Sequence, residues 1–213
     1  MLKLKPSTVR AWCFGQRYKD ASGSQKSFAP VVLAAEKAAR LLSFANLCEL
    51  HVLGAITRTY GIPLQRVRPA LEYVRRRMGL RRPLLADNFR TNGLDLFLEQ
   101  AGQLVSVSGG GQTAMRGDFE RALDRIERGN AGSPVRLFPF TRSPAATPTQ
   151  PRAVLIDPRI AFGRPVLASA RVRTDVIHDR FVAGDSPAEM AGDYGVSEAE
   201  ILEALRYEQL VAA

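Results

Sequence analysis

Two cysteines, two histidines and one tryptophan are all that this chain of 213 residues contains of those types. Cys13 and Cys48 are too few for the disulfide framework of a small secreted domain. They are also too few for a structural zinc site without more histidine than His51 and His178 supply, so both read as core residues. No run of about 18 uncharged apolar residues is present, which excludes a membrane-spanning helix by hydropathy. The start, Met1-Leu2-Lys3-Leu4-Lys5, is not followed by an apolar stretch of signal-peptide length, so a cytoplasmic protein with no membrane partner is expected. What is present is ordinary: 46% hydrophobic and 24% charged residues, with a mean hydropathy of −0.11. Such a balance excludes disorder and fibre and leaves a globular chain long enough for two small domains.

The net charge of +9 is unevenly placed. Residues 1–82 carry 16 basic and 4 acidic side chains, residues 83–150 carry 7 of each, and residues 151–213 carry 7 basic and 10 acidic. A polyanion responds to a local field and not to an average, so nucleic acid is expected to meet the first third of the chain. The acidic C-terminal part calls for a different partner.

Ser143–Arg152, SPAATPTQPR, has three prolines and little to pack, and reads as a linker between a first domain over 1–142 and a second over 153–213. In the first, PSTVRAW from Pro6 reads as a short helix with Val9 and Trp12 on one face, followed by a Gly- and Ser-rich loop or wing over 15–27. Ser43 fits the N-cap of an apolar helix ending near Tyr60-Gly61. The spacing of Leu64, Val67, Leu71, Val74 and Met78 predicts the next helix, with Pro69 causing a kink or a late start near Arg66. Alternation over 94–108 suggests a hairpin, Asp118–Arg128 an amphipathic helix capped by Gly129, and Val135–Phe140 a returning strand. In the second domain a strand at Val154-Leu155-Ile156 and a turn at Asp157-Pro158 precede three helices. Thr174–Ala183 ends at Gly184, while Ser186-Pro187-Ala188-Glu189 and Ser197-Glu198-Ala199-Glu200 are two capping boxes around a Gly195 corner. The fold class expected is mainly α with a small β component.

Both Gly-centred helix pairs resemble helix-turn-helix corners, and charge chooses between them. The last helix carries Glu198, Glu200, Glu203 and Glu208 against Arg206 alone, so phosphates would repel it. The first is flanked by Lys3, Lys5, Arg10, Arg17 and Lys19 against Asp20, and offers the Ser7 and Thr8 hydroxyls near its start. Those seven residues are the candidate DNA contacts.

PSTVRAW, the basic wing, FANLCELHVLGAITRTYG and IPLQRVRPALEYV resemble, in order and spacing, the winged helix-turn-helix of MerR-type regulators over about the first 80 residues. That fold has a further helix before the Ser-Thr-Val-Arg helix. Here only five residues precede Pro6, so either Met1 is an internal start or the bracing helix is lost, with DNA affinity reduced. Residues 153–208 resemble the bacterial antitoxin family once catalogued as domain of unknown function 433. Its pattern is carried by Pro158, Gly163, Pro165, Val166, Arg171, Gly184, Ser186, Pro187 and Glu189, with Ser169-Ala170 where Gly-Thr is usual. The resemblance implies a C-terminal homeodomain-like three-helix domain and, with the MerR-like head, a long VapB-type antitoxin. Such a protein would hold a PIN-domain ribonuclease toxin inactive and repress its own operon by binding operator DNA. An inhibitor of an acidic, magnesium-binding pocket needs a cation or plug; Arg164, Arg171 and Arg173 lie on the segment before the helices, with Phe162 as apolar anchor, and Arg171 or Arg173 would reach the toxin's carboxylates.

Other chemistry finds little support. Cys48 and His51 have metal-pair spacing without a second pair, Gly109-Gly110-Gly111-Gln112 lacks the Gly-Lys-Ser/Thr ending of a phosphate loop and reads as a loop, and His178 beside Asp179 has no nucleophile placed with it. No cofactor, no metal and no enzymatic activity are expected. A homodimer is expected, because helix-turn-helix proteins commonly read two half-sites. The alternative is a stand-alone MerR-like transcriptional regulator whose C-terminal domain binds a protein or a small ligand.

Overall fold

The computed structural model describes residues 2, 4–19, 22–60, 64–86, 89, 95, 97, 109–142 and 149–212. Among them are seven α-helices and three two-stranded antiparallel sheets, a mainly helical architecture. The chain forms two compact units, one of Leu4–Leu123 and one of Asp124–Ala213 with Met1–Lys3.

The first unit opens with α1 (Pro6–Phe14), where proline in the first turn needs no amide partner. Trp12 and Cys13 face inward. Gly15 follows at φ 80°, and a Cβ there would meet the Phe28 carbonyl oxygen at 2.5 Å, so the tight exit into the hairpin requires glycine. The expected wing is β1 (Gln16–Lys19) paired with β2 (Gln25–Phe28), with Arg17 opposite Ser27 and Lys19 opposite Gln25. Tyr18 stacks on Phe28 at 4.6 Å between centroids. The chain then runs to α2 (Phe44–Tyr60) and α3 (Leu64–Met78). Ser43 Oγ accepts from Asn46 N–H at 3.3 Å, the cap anticipated from its position. α3 begins at Leu64, two residues ahead of the late start considered near Arg66, and continues through Pro69. Val67, Ala70, Leu71 and Val74 are buried along its inner face. α4 (Gly109–Asp124) takes in Gly109–Gln112, read above as a loop. Its Phe119 packs against Phe89 and edge-on to Phe97 at 5.1 Å. The hairpin expected over 94–108 lies outside the described residues except at Asp95 and Phe97, whose backbone is helical.

The second unit begins where α4 stops. Asp118–Arg128 is not one helix: after Asp124 the chain turns into β3 (Ile126–Arg128), paired with β4 (Pro134–Leu137). Phe119, Ala122, Leu123 and Ile126 are all buried as their spacing predicts. Burial pattern over so few residues does not discriminate helix from strand, and the Gly129 turn, with its N–H donating to Ser133 O at 2.9 Å, closes a hairpin instead of capping a helix. Leu137 bridges to Ile156 beside β5 (Val154–Leu155), which pairs with β6 (Val166–Leu167). α5 (Thr174–Ala183), α6 (Pro187–Tyr194) and α7 (Glu198–Ala212) follow; their starts and the ends of α5 and α6 fall where the stop and start residues predict, while α7 runs on past Glu208, where no stop residue marks its end. Gly184 and Gly195 are left-handed, and both capping boxes form, with Glu189 N–H on Ser186 Oγ and Glu200 N–H on Ser197 Oγ. Leu167, Ile177, Met190, Ile201 and Leu205 make the core of this three-helix unit.

The boundary expected at Ser143–Arg152 therefore falls inside the second unit. Residues 143–148 lie outside the described residues, but the flanks on either side are anchored. Gln150 accepts from Arg142 N–H at 3.0 Å and donates back to Arg142 O at 3.1 Å. Buried Arg125 donates to Gln150 O at 2.7 Å and Pro151 O at 3.1 Å, and burial lowers its pKa to about 10. Buried Glu203 on α7 accepts from both Thr141 and Arg142. Proline content reports on what a segment cannot do locally, and is blind to such long-range bonds.

Candidate nucleic-acid and partner interfaces

In the first unit, Lys5 precedes α1, and Ser7 and Arg10, three residues apart, lie on its exposed side, with Thr8 half-buried beside them. Arg17 and Lys19 are exposed on one face of the hairpin, alternate residues of β1. Lys3 lies outside the described residues. Five of the seven candidate DNA contacts thus stand on one helix and the strand that follows it, and Lys5 is at the N-cap position of that helix.

The basic excess of this unit has a second use that composition conceals. Arg75 donates to Val31 O, and Arg82 donates to Leu33 O at 3.2 Å and to the buried Glu49 carboxylate. Asn46 adds its amide to Leu33 O at 2.7 Å and accepts from Ala35 N–H at 3.0 Å. These bonds hold the irregular return from the hairpin, where buried carbonyls would otherwise be unsatisfied. Burial pushes the Glu49 carboxyl up, against the nearby Arg82 charge. Arg68 and Arg75, seven residues apart, share a face of α3, and that spacing is the signal that could have found the row.

In the second unit, Phe162 is 101% exposed and its backbone is left-handed at φ 54°. An aromatic in that conformation with no contact to repay it is unusual, and such strain is concentrated at functional positions. Arg164 and Arg173 both pair with Asp175, at 3.4 Å from Arg164 and 2.9 Å from Arg173 Nε. The Arg173 guanidinium beside it holds the Asp175 carboxyl down. Arg171, left-handed at φ 57°, is exposed, and its side chain forms no ion pair among the described residues. Of Arg164, Arg171 and Arg173, it alone has a guanidinium not engaged internally among the described residues. Ser169, where the family pattern has glycine, bonds the Glu200 carboxylate and is the leading cause of its lowered pKa.

The Phe162 loop is itself held by a buried carboxylate. Asp157 accepts from Arg159 N–H at 2.9 Å, Arg159 Nη2 at 3.0 Å and Arg136 Nε at 3.1 Å. The Arg159 bonds foremost, with those from Arg136, bring its pKa to about 2. Because the folded value is depressed, this stabilisation is present above the unfolded carboxyl range near 4 and is lost as pH falls toward about 2. Its size is on the order of 1 to 2 kcal/mol, reduced because both arginines keep part of their charge in water. Asp157→Asn is expected to lower stability at pH 7 and to flatten the acid limb of the melting profile between about pH 4 and 2, measured by thermal denaturation across pH.

Among the described residues no three His, Cys, Asp or Glu side chains gather as metal ligands, and no helix is long and apolar enough to cross a membrane.

What the fold defines is a helix, hairpin and two-helix head followed by a separate β-braced three-helix unit. A crystal structure of Rv2018 from Mycobacterium tuberculosis has the same fold, with a TM-score of 0.62 and 22% identity over 95% of this chain and 91% of that one. Residues 1–71 match the family described as "Putative DNA-binding HTH domain", and residues 154–207 match "Protein of unknown function (DUF433)". A curated relative, "Putative antitoxin VapB45" of Mycobacterium tuberculosis, is 26% identical over 93% of this chain and 86% of its own length.

Proposed function

We propose that this protein is the antitoxin of a toxin-antitoxin pair: its second unit neutralises a PIN-domain ribonuclease toxin, and its first unit binds operator DNA as a MerR-like winged helix-turn-helix to repress the operon. The observation that carries this reading is the similarity to "Putative antitoxin VapB45" along nearly the whole chain, so that both units occur together and in the same order. The physical features agree with the division of labour. The exposed cations Lys5, Arg10, Arg17 and Lys19 suit a phosphate backbone. Fully exposed Phe162 and unengaged Arg171 suit an apolar and acidic protein surface. A homodimer would present two α1 helices to two half-sites.

Purification of the protein from its own cells, followed by intact mass spectrometry of whatever accompanies it, tests the reading. One small nuclease recovered at fixed stoichiometry is the expected result. Recovery of the protein alone with DNA binding intact would instead establish a stand-alone transcriptional regulator.

A further inference from the structure

A cavity of about 350 Å³ lies in the first unit, lined by Ser7, Thr8, Trp12, Gln16, Phe28 and Arg68 among others, none of them acidic. The Arg68 guanidinium stands 4.9 Å over the Phe28 ring. Its Nε is buried without a hydrogen-bond partner among the described residues, and the side chain makes no ion pair there. Burial without a compensating anion pulls its pKa down. Arg75, on the same face of α3, likewise has an unpartnered Nε, but its guanidinium donates to Val31 O and pairs with Glu72 at 3.6 Å, while Arg82 beyond it is answered by Leu33 O and Glu49. Among the described residues Arg68 is thus the member of the row whose charge has no anion or carbonyl to answer it, in a cavity lined also by Ser7 and Thr8. A partly buried cation with neutral donors around it and, among the described residues, no carboxylate is the composition of an oxyanion site.

We propose that this cavity receives a phosphate, held by Arg68 with Ser7 and Thr8, and that the occupant is a backbone phosphate of bound duplex. The inference rests on the DNA-binding reading and deepens it: α3, separated from α1 by the hairpin and α2, would contribute a contact that fixes the register of α1 on the backbone. Stacking on Phe28 pre-orients the guanidinium, so lysine at 68 would keep the charge and lose the planar, two-pronged donor.

The test uses the full-length protein and a labelled duplex of the region upstream of its own coding sequence, with affinity followed by fluorescence anisotropy at several salt concentrations. Arg68→Ala is expected to bind about tenfold more weakly, with a salt slope smaller by about 0.9, the value for one phosphate. Arg68→Lys should retain the slope and recover part of the affinity. Ser7→Ala, at an exposed position that cannot disturb the core, should weaken binding in the same direction if Arg68→Ala proves unstable. Trp12, the single tryptophan of the chain, lines the cavity and reports occupancy directly: its emission should change on adding duplex to the wild type and not to Arg68→Ala. Unchanged slope and affinity in the variants, with the wild type binding DNA, would overturn the inference and leave the DNA-binding reading standing. Should the wild type bind no duplex, that reading fails, and inorganic phosphate decides the cavity. A Trp12 response that Arg68→Ala abolishes would then support a site for a free phosphate, and no response would overturn it.

Discussion

Replacing Lys5 and Arg10 together by alanine is expected to weaken binding to operator duplex about thirty- to a hundredfold while leaving partner binding by the second unit intact. Each side chain is exposed beside or on α1, and a charge-assisted contact to phosphate at such a surface contributes on the order of 1 to 1.5 kcal/mol. The diagnostic is the salt dependence: the slope of log affinity against log salt should fall by about 2 when two phosphate contacts are removed. The helix itself should survive, since Val9, Trp12 and Cys13 on its opposite side supply the packing. Anisotropy titrations from low to moderate salt, with circular dichroism as a check on folding, measure both quantities. A wild-type slope near zero would exclude electrostatic docking by this unit.

Phe162→Gly is expected to weaken partner binding by about thirtyfold or more while leaving the free protein as stable as before, or slightly more stable. Truncating a central aromatic anchor commonly costs about 2 kcal/mol or more at an interface. In the free protein the side chain is fully exposed and has no packing to lose, and glycine tolerates the left-handed backbone at φ 54° that phenylalanine does not favour. A residue retained only for the loop's own structure would show the opposite pair of effects or neither. Paired measurements, thermal melting of the free protein and calorimetric titration with the co-purified partner, separate the two. Arg171→Ala should also weaken the complex, and an Arg173→Ala variant should weaken it less, because Arg173 must first give up Asp175. Equal affinity of Phe162→Gly and wild type would remove this loop from the interface.

The three helices of the second unit were legible almost to the residue because their ends are chemically marked. A capping box is a local pair of hydrogen bonds between residues three apart, and a left-handed stop falls on glycine for steric reasons, so neither depends on the rest of the molecule. The stretch Ile126–Arg128 was not, since three residues carry the same burial pattern in either conformation, and pairing with Pro134–Leu137 decided it.

Charge placement by itself pointed to a nucleic-acid partner for the first unit, since net charge is a sum that folding does not change. Which cations remain available was decided only in three dimensions. Arg75 and Arg82 are drawn to carbonyls at Val31 and Leu33, more than forty residues distant in sequence, and Arg68 is placed over Phe28. The limits of the two units were likewise decided by Arg125, Gln150 and Glu203, which bind the flanks of the proline-rich segment into the second unit. Local sequence determined where helices begin and end, because caps and turns act over three or four residues. Tertiary structure determined the fate of each arginine, because a guanidinium's role depends on which acceptors the fold brings within its reach.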